Sequence, residues 1–425
     1  MSSLFGTTEP LSIDQADALP RGLVDTLVDS GLVERIDGGL RGTVQFSSWE
    51  GFVVAHDPSN PLELRSDSVS GINPTTRTLA ALTVRRPVQR ALDVGTGCGA
   101  QALLAALHAE EVVATDVNPR ALWLTEINAA INGLTNITCV EGSMFEPVAG
   151  EKFDLVVGNL PFVVSPDIDY TFRDSGLPGD DVSRLAVEGA ASVLNPGGYA
   201  HLMCNWMLEP DAHWSDRPLT WFTSLDCSSW LLYHSNESSR DYAEKWNHAL
   251  LRNRPDEYLD TVERWVAYHN DIGAVAVANG AIVLYSDGLG SHRVDRMAVP
   301  PQGNGGSQVE RAFSAAARTD DRDLNEAVIT LVSPHSLQQL LRHEDRRYVA
   351  ADAQLVLDDT AGVAGDVAPM AAHALLRLDG QIALGDVVEQ AVEETGLDRD
   401  ELLDTTISVF AELGRRGIID VRWPD

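Results

Sequence analysis

Apolar residues recur at helical spacing from Ile13 to Ser30, where Leu19, Leu23 and Leu27 share a face, and the period then shortens to that of strands. Leu32 to Ile36 runs into the turn glycines Gly38 and Gly39, and Thr43 to Phe46 and Gly51 to Ala55 alternate like half-buried strands. Residues 1–65 are therefore expected to form a small α+β lobe, a helix plus a hairpin. The stretch from Asp57 to Asn73 carries Pro58, Pro61 and Gly71 ahead of Pro74 and reads as a connection.

Beyond it, strand and helix patterns alternate. Arg90 to Val94, Glu111 to Asp116, Ile137 to Glu141 and Phe153 to Gly158 read as strands, with helices over Ala100 to His108 and Pro119 to Asn132. A helix from Asp181 to Leu194, a Pro196-Gly197-Gly198 turn and a strand over Tyr199 to Cys204 continue the series. Such alternation predicts a doubly wound α/β domain over residues 66–298, with helices covering both faces of a mostly parallel sheet. Strands at Ser229 to His234 and Ala274 to Tyr285, with a helix over Asp256 to His269, complete a seven-stranded plan. Asn279-Gly280 inside the last strand predicts a hairpin and an antiparallel edge.

The run Val299 to Ser307, VPPQGNGGS, has the composition of a linker. Residues 308–425 then form a separate C-terminal module. Its end, with helices over Leu384 to Thr395 and Asp398 to Arg416 and a strand at Ile418 to Val421, resembles a winged helix.

Composition narrows the setting. The chain has 425 residues, 44% hydrophobic and 22% charged, which is ordinary globular composition. The start, MSSLFGTTEPLSIDQ, lacks a basic region followed by an apolar one, and no long apolar run occurs, so a cytoplasmic protein without a membrane partner is expected. Cys98, Cys139, Cys204 and Cys227 are scattered and are expected to be reduced, and His201, His248, His269 and His292 lack metal-ligand spacing, so no metal is assigned. A formal net charge of −32 opposes non-specific attraction to a phosphate backbone but leaves room for a local basic patch.

The candidate chemistry sits at two strand ends. Asp93-Val94-Gly95-Thr96-Gly97-Cys98-Gly99 joins a strand to a helix, and its glycines allow a sharp bend and close approach of backbone to a ligand. Asp116, about twenty residues on at the next strand end, is placed to grip a ribose diol. Gly95, Gly97 and Ala100 also satisfy a loose dinucleotide pattern, so a nicotinamide enzyme is the rival. Two features count against it: the Asp93 carboxylate would repel a pyrophosphate but suits a cationic ligand, and hydride transfer has no need of the Asn-Leu-Pro-Phe that ends the fourth strand.

In order, LDVGTGCG, TDVNPRAL, NAAINGL and VVGNLPF resemble the class I S-adenosylmethionine-dependent methyltransferases. The branch is the one containing release-factor glutamine methyltransferases and the guanine-N2 and adenine-N6 methyltransferases of ribosomal RNA. The resemblance covers Asn73 to Tyr285 and implies a Rossmann-like methyltransferase sheet. It further implies S-adenosylmethionine as cofactor, with Asp93, Gly95 and Gly97 at its methionine part, Asp116 at the ribose, Ser143 or Met144 at the adenine, and Thr96, Val117 and Asn159 also among the cofactor-binding residues. Pro74-Thr75-Thr76-Arg77 resembles the segment that closes over the cofactor in the glutamine methyltransferases, which brings in Thr75; the alternative is a helix N-terminus with Thr75 as cap.

Asn159, Leu160, Pro161 and Phe162 form the target loop. The Asn159 side-chain oxygen and the Leu160 carbonyl are placed to accept the two N–H groups of a planar NH2, aiming its lone pair at a sulfonium, and Phe162 offers a stacking face. The Leu160 form resembles adenine dimethyltransferases of ribosomal RNA, whereas many relatives have Pro there. An N-methyltransferase acting on a planar exocyclic amine or amide is therefore expected, with an RNA base as the favoured acceptor. A protein glutamine, a peptide or a small molecule is the alternative. A different class, a winged-helix binding or regulatory protein with a cofactor-sensing methyltransferase fold, also stays open. The polar stretch Phe172 to Asp181 is either a loop that closes over substrate or plain surface, and Trp206, Trp214 and Trp221 line either a pocket or the core.

Overall fold

The computed structural model describes residues 5, 10–58, 65–319, 323–344 and 346–423. Pro61 of the connection and most of the first nine residues lie outside these. The chain divides into two compact units, Met1–Leu79 with Pro87–Val294, and Ala80–Arg86 with Asp295–Asp425. Among the described residues no helix is long and apolar enough to cross a membrane.

The first unit opens with β1 (Leu11–Ser12), α1 (Ile13–Asp17), α2 (Arg21–Asp29), β2 (Val33–Ile36) and β3 (Gly39–Gly42), the strands ordered β1-β3-β2. The single helix expected over Ile13 to Ser30 is two, because Pro20 cannot donate within a helix and instead stands as the N-cap of α2. A separate hairpin follows, β4 (Gln45–Trp49) and β5 (Phe52–His56). Its two-residue loop, Glu50-Gly51, has φ of 50° and 84°, the left-handed geometry that suits the twist of paired strands.

After α3 (Pro74–Leu82), the elements of the large sheet are β6 (Val88–Val94), α4 (Ala100–Ala105), β7 (Ala109–Asp116), α5 (Pro119–Ile131), β8 (Ile137–Glu141) and β9 (Phe153–Gly158). They continue with α6 (Asp181–Val193), β10 (Leu194–Leu208), α7 (Asp216–Phe222), β11 (Ser228–Ser238) and α8 (Ser239–Asn247). Last come α9 (Leu250–Asn253), α10 (Pro255–Asp271), β12 (Ala276–Tyr285) and β13 (His292–Arg296). The order is β13-β11-β12-β10-β9-β6-β7-β8, with β6 to β10 mutually parallel and β12 antiparallel to both neighbours. This is the doubly wound α/β fold with one strand more than the seven expected, β13 being too polar to register as a strand.

The predicted hairpin at Asn279-Gly280 is absent. β12 runs straight through it, and Gly280 is there because a β-carbon would lie 2.1 Å from the Leu232 carbonyl oxygen, beside the register shift between Tyr233 and Ser235. Pro196 to Gly198 likewise falls within β10, where the pairing with β9 shifts register. Trp206, Trp214 and Trp221 join Phe153, Val156 and Leu202 in the core, Trp206 Nε1 donating to the Trp214 carbonyl at 2.7 Å.

In the second unit, α11 (Gly306–Thr319) precedes β14 (Val328–Leu331), β15 (His335–Glu344), β16 (Arg347–Leu357) and β17 (Gly365–Val367). α12 (Ala371–Leu375), α13 (Leu384–Thr395), α14 (Arg399–Arg415) and β18 (Ile419–Arg422) follow. β14 pairs with β18, and β15, β16 and β17 form a second antiparallel sheet. The stretch expected as a free linker is tied down: Gln302 exchanges backbone hydrogen bonds with Thr360, and Asn304 N donates to Asp359 Oδ1 at 2.8 Å.

Candidate functional site

Strand order reverses between β6 and β9, and Val94 pairs with Gly158, so the loops that leave these two strands open side by side at the carboxyl edge of the sheet. That is where an open α/β sheet forms its ligand crevice. The glycine loop follows β6 and Asn159 to Phe162 follow β9.

The loop is held from beneath. Gly95, Gly97 and Gly99 have φ of 67°, 59° and 80°, left-handed values that a β-carbon disfavours. Asp93 is buried, and its Oδ2 accepts from Thr96 Oγ1 at 2.7 Å and from Ala102 N at 3.0 Å, which fastens the loop to the first turn of α4. Burial pushes the Asp93 carboxyl up to about 7, against the pull of those two donors, and the neighbouring charge of Asp116 adds to the rise. Asp116 Oδ2 accepts from Gly97 N at 3.0 Å and Oδ1 from Asn118 N at 2.9 Å; burial raises its pKa too. Val117 beside it is exposed.

Ser143 and Met144 follow β8 and stand near Asp116, since Gly142 N donates to the Asp116 carbonyl at 3.0 Å. Ser143 is exposed, and Met144 adopts φ of 48°, its carbonyl accepting from Thr115 Oγ1 at 3.3 Å. At the start of α3 the acceptor is Asn73, not Thr75: Asn73 Oδ1 receives Thr75 Oγ1 at 2.6 Å, Thr76 N at 2.9 Å and Thr76 Oγ1 at 3.0 Å. The Thr76 carbonyl accepts from the buried Gln101 Nε2 at 2.9 Å, which ties this segment to α4.

In the target loop Leu160 is buried, and a β-carbon on Gly95 would lie 2.8 Å from Leu160 Cδ2, so the two loops are in direct contact. Phe162 packs half-buried against the core. Asn159 Oδ1 is buried and, among the described residues, has no hydrogen-bond partner. An acceptor kept from water without a donor costs about 1–3 kcal/mol, which a ligand N–H would recover.

Several supports carry no signal in the motifs alone. Both backbone polar groups of Val164 are gripped by side chains: its N–H donates to Tyr242 Oη at 3.1 Å and its carbonyl contacts His269 Nε2 at 3.0 Å, while Asn205 Nδ2 also donates to Tyr242 Oη at 2.8 Å. The stretch from Phe172 to Asp181 is no plain surface loop. Arg173 and Asp174 are a buried bidentate pair at 2.7 and 2.9 Å, and Asp180 is buried against Arg217.

Asn128 of α5 and Asn132 at its C-cap act as a ladder along the edge of β5. Asn128 Oδ1 accepts Ala55 N at 2.7 Å and Nδ2 donates to Ala55 O at 2.9 Å; Asn132 does the same with Val53 at 3.0 and 2.8 Å. The i, i+4 step of a helix matches the i, i+2 step of a strand, so two amides satisfy an otherwise open strand edge. Asn128 Nδ2 also reaches the Cys98 carbonyl at 2.8 Å, fixing the glycine loop to the N-terminal hairpin. A polar residue on the buried face of a helix was the available clue.

Residues 68–211 match the family described as methyltransferase small domain. Among curated relatives, a release factor glutamine methyltransferase of Geobacter sulfurreducens is 38% identical over 119 residues, 25% of this chain and 42% of the relative. That of Deinococcus radiodurans is 43% identical over 121 residues, 26% of this chain and 43% of the relative. A ribosomal protein L11 methyltransferase of Lactobacillus delbrueckii subsp. bulgaricus is 36% identical over 117 residues, covering 26% and 37%. The chain thus spans less than half the length of these relatives. Both loops of the crevice lie within the matched stretch, residues 68–211, which is similar to the methyltransferase small-domain family.

Proposed function

We propose that this protein is an S-adenosylmethionine-dependent N-methyltransferase that acts on a planar exocyclic amine or amide nitrogen. The observation that carries the reading is the buried, unpartnered Asn159 Oδ1 in a loop that touches the glycine loop at Leu160. An acceptor oxygen is what an incoming NH2 needs, and it stands beside the site where a methyl donor would lie.

The residues fit that donor. Gly97 leaves the crevice open, since a β-carbon there would meet only Val69 Cγ1, at 3.9 Å. Gly95, Thr96 and Gly97 would border its methionine part, held in place by Asp93; Asp116 would take the ribose and Val117, Ser143 and Met144 the adenine. Thr75 would line the closing segment. When bound, S-adenosylmethionine supplies a methyl group on an electron-poor sulfonium. Asn159 Oδ1 and the Leu160 carbonyl each accept one N–H of the acceptor, which holds the nitrogen and directs its lone pair. Pro161 stiffens the turn and Phe162 supplies an apolar face for the planar group. Orientation of this kind provides rate without a general base.

The acceptor we favour is the exocyclic amine of an RNA base, supported by the Leu160 form of the loop. Protein glutamine is the second reading, supported by the net charge of −32 and by the release factor glutamine methyltransferases among the relatives. Incubation with labelled donor and fractionated lysate separates them. Label removed by ribonuclease is the expected result; label removed only by protease transfers the assignment to protein. Absence of donor binding by calorimetry overturns the enzyme reading itself.

A further inference from the structure

A cavity of about 360 Å³ opens within the first unit, lined by the hairpin, the connection after it and the stretch beyond the target loop. Ser47, His56, Ser68, Ser70, Arg77 and Phe172 are among its walls. None of Asp93, Gly95, Gly97, Asp116 or Asn159 is among its described lining residues, while Asn73 and Arg77 flank Thr75 of the segment expected to close over the donor. It adjoins the donor crevice: Val69, another wall residue, lies 3.9 Å from where a β-carbon on Gly97 would be, and Thr171 N donates to the Ser66 carbonyl at 3.1 Å, joining the target-side stretch to the connection.

The polarity of the cavity is specific. Among the described residues its one carboxylate, Asp57, is already satisfied, by a bidentate pair with Arg120 and by Val69 N at 2.8 Å. Arg77 is exposed and, among the described residues, its guanidinium has neither an ion pair nor a hydrogen bond, only its backbone N–H donating to the Asn73 carbonyl, in a chain of net charge −32. Ser47 Oγ is buried and, among the described residues, has no hydrogen-bond partner. Ser68 Oγ accepts from Arg65 N at 2.8 Å, so its own proton is left to donate. Phe172 presents a ring that is 37% exposed. The wall is also set firmly, because the His56 ring lies where a β-carbon on Gly71 would be, 2.7 Å from Cγ.

One unpaired guanidinium with several hydroxyls spread around it suits a tetrahedral anion with three peripheral oxygens better than a flat carboxylate, which a single fork already satisfies. An aromatic ring beside a phosphate is a place for a base to stack. We propose that this cavity is a phosphate subsite for a nucleotide unit of the acceptor, with Arg77, Ser47 and Ser68 on the phosphate and Phe172 on a base. This rests on the methyltransferase reading and deepens it, since it commits the acceptor to nucleic acid.

The test uses the full chain and calorimetric titration of adenosine and guanosine against their 5′-monophosphates, with and without S-adenosylhomocysteine. The monophosphates are expected to bind about tenfold more tightly than the nucleosides. Arg77→Gln should reduce that preference to about twofold, and Arg77→Lys should restore most of it. Equal binding of nucleoside and monophosphate by the unmodified chain overturns the proposal. So does an Arg77→Gln variant that loses donor affinity instead, which assigns the arginine to the donor carboxylate. Arg77-dependent binding of a short peptide carboxylate in preference to the monophosphates overturns it in favour of a protein acceptor. If monophosphates bind through Arg77 but the donor does not bind at all, the subsite stands and the methyltransferase reading fails.

Discussion

Leu160 Cδ2 occupies the space that a side chain on Gly95 would need, 2.8 Å from its β-carbon position, so the Asn159–Phe162 loop is seated on the glycine loop. Gly95→Ala therefore suffers twice, from φ of 67°, which costs an L-residue about 1–2 kcal/mol, and from collision with Leu160. Donor affinity by calorimetry is expected to fall at least tenfold. Adding Leu160→Ala should recover part of that loss; a double variant no better than the single one would mean that the two loops are not coupled.

Asn159 separates binding from transfer. Its Oδ1 has no hydrogen-bond partner among the described residues, and Asp93 and Asp116 organise the glycine loop without it. Asn159→Ala is expected to lower kcat by about 10²–10³, the usual size for removing one positioned hydrogen-bonding group, while donor affinity changes less than threefold. Single-turnover transfer with a labelled donor measures the first and calorimetry the second. A variant that loses donor binding as severely as transfer would make Asn159 a donor ligand first.

Much of this site is legible in the sequence because short-range rules set it. Glycines in a strand-to-helix turn, a carboxylate ending the next strand and Asn-Leu-Pro-Phe ending the fourth are local features, and β8, β9 and α13 begin and end where periodicity puts them. What the sequence hid depends on partners far along the chain. Asn279-Gly280 has the composition of a hairpin turn, yet it pairs with Asn205, Cys204, Tyr233 and Ser235 in a continuous strand, because neighbours on both sides outweigh local turn preference. Tyr242 and His269 are unremarkable helix residues until the fold brings them to Val164.

The amide ladder makes a stability prediction. Asn128 is fully buried, and its removal leaves Ala55 N, Ala55 O and Cys98 O without their partner. Each buried backbone group so orphaned costs about 1–3 kcal/mol, so Asn128→Ala should lower unfolding free energy by roughly 3 kcal/mol or more in urea titration. Faster hydrogen exchange at the Ala55 amide should accompany it. A loss below about 1 kcal/mol would show that water or rearrangement replaces the ladder.

Asp93 sets a pH dependence whose sign is fixed by linkage. Its carboxyl holds its proton up to about pH 7 when folded, chiefly because burial penalises the charge, against an ordinary value of 3.8. The folded chain therefore binds the extra proton between those values and the unfolded chain does not. The stability this contributes is fully present below pH 3.8 and is lost as pH rises through about 7. Over three pH units the effect is on the order of 4 kcal/mol. Asp93→Asn keeps an oxygen acceptor for Thr96 and Ala102 but has no charge to bury. Urea unfolding of both proteins across this range should show the variant gaining on the parent steadily from pH 4 to about pH 7 and levelling off above it. Parallel curves would mean that Asp93 is ionised throughout, held by a counter-charge or by water reaching it beneath the glycine loop.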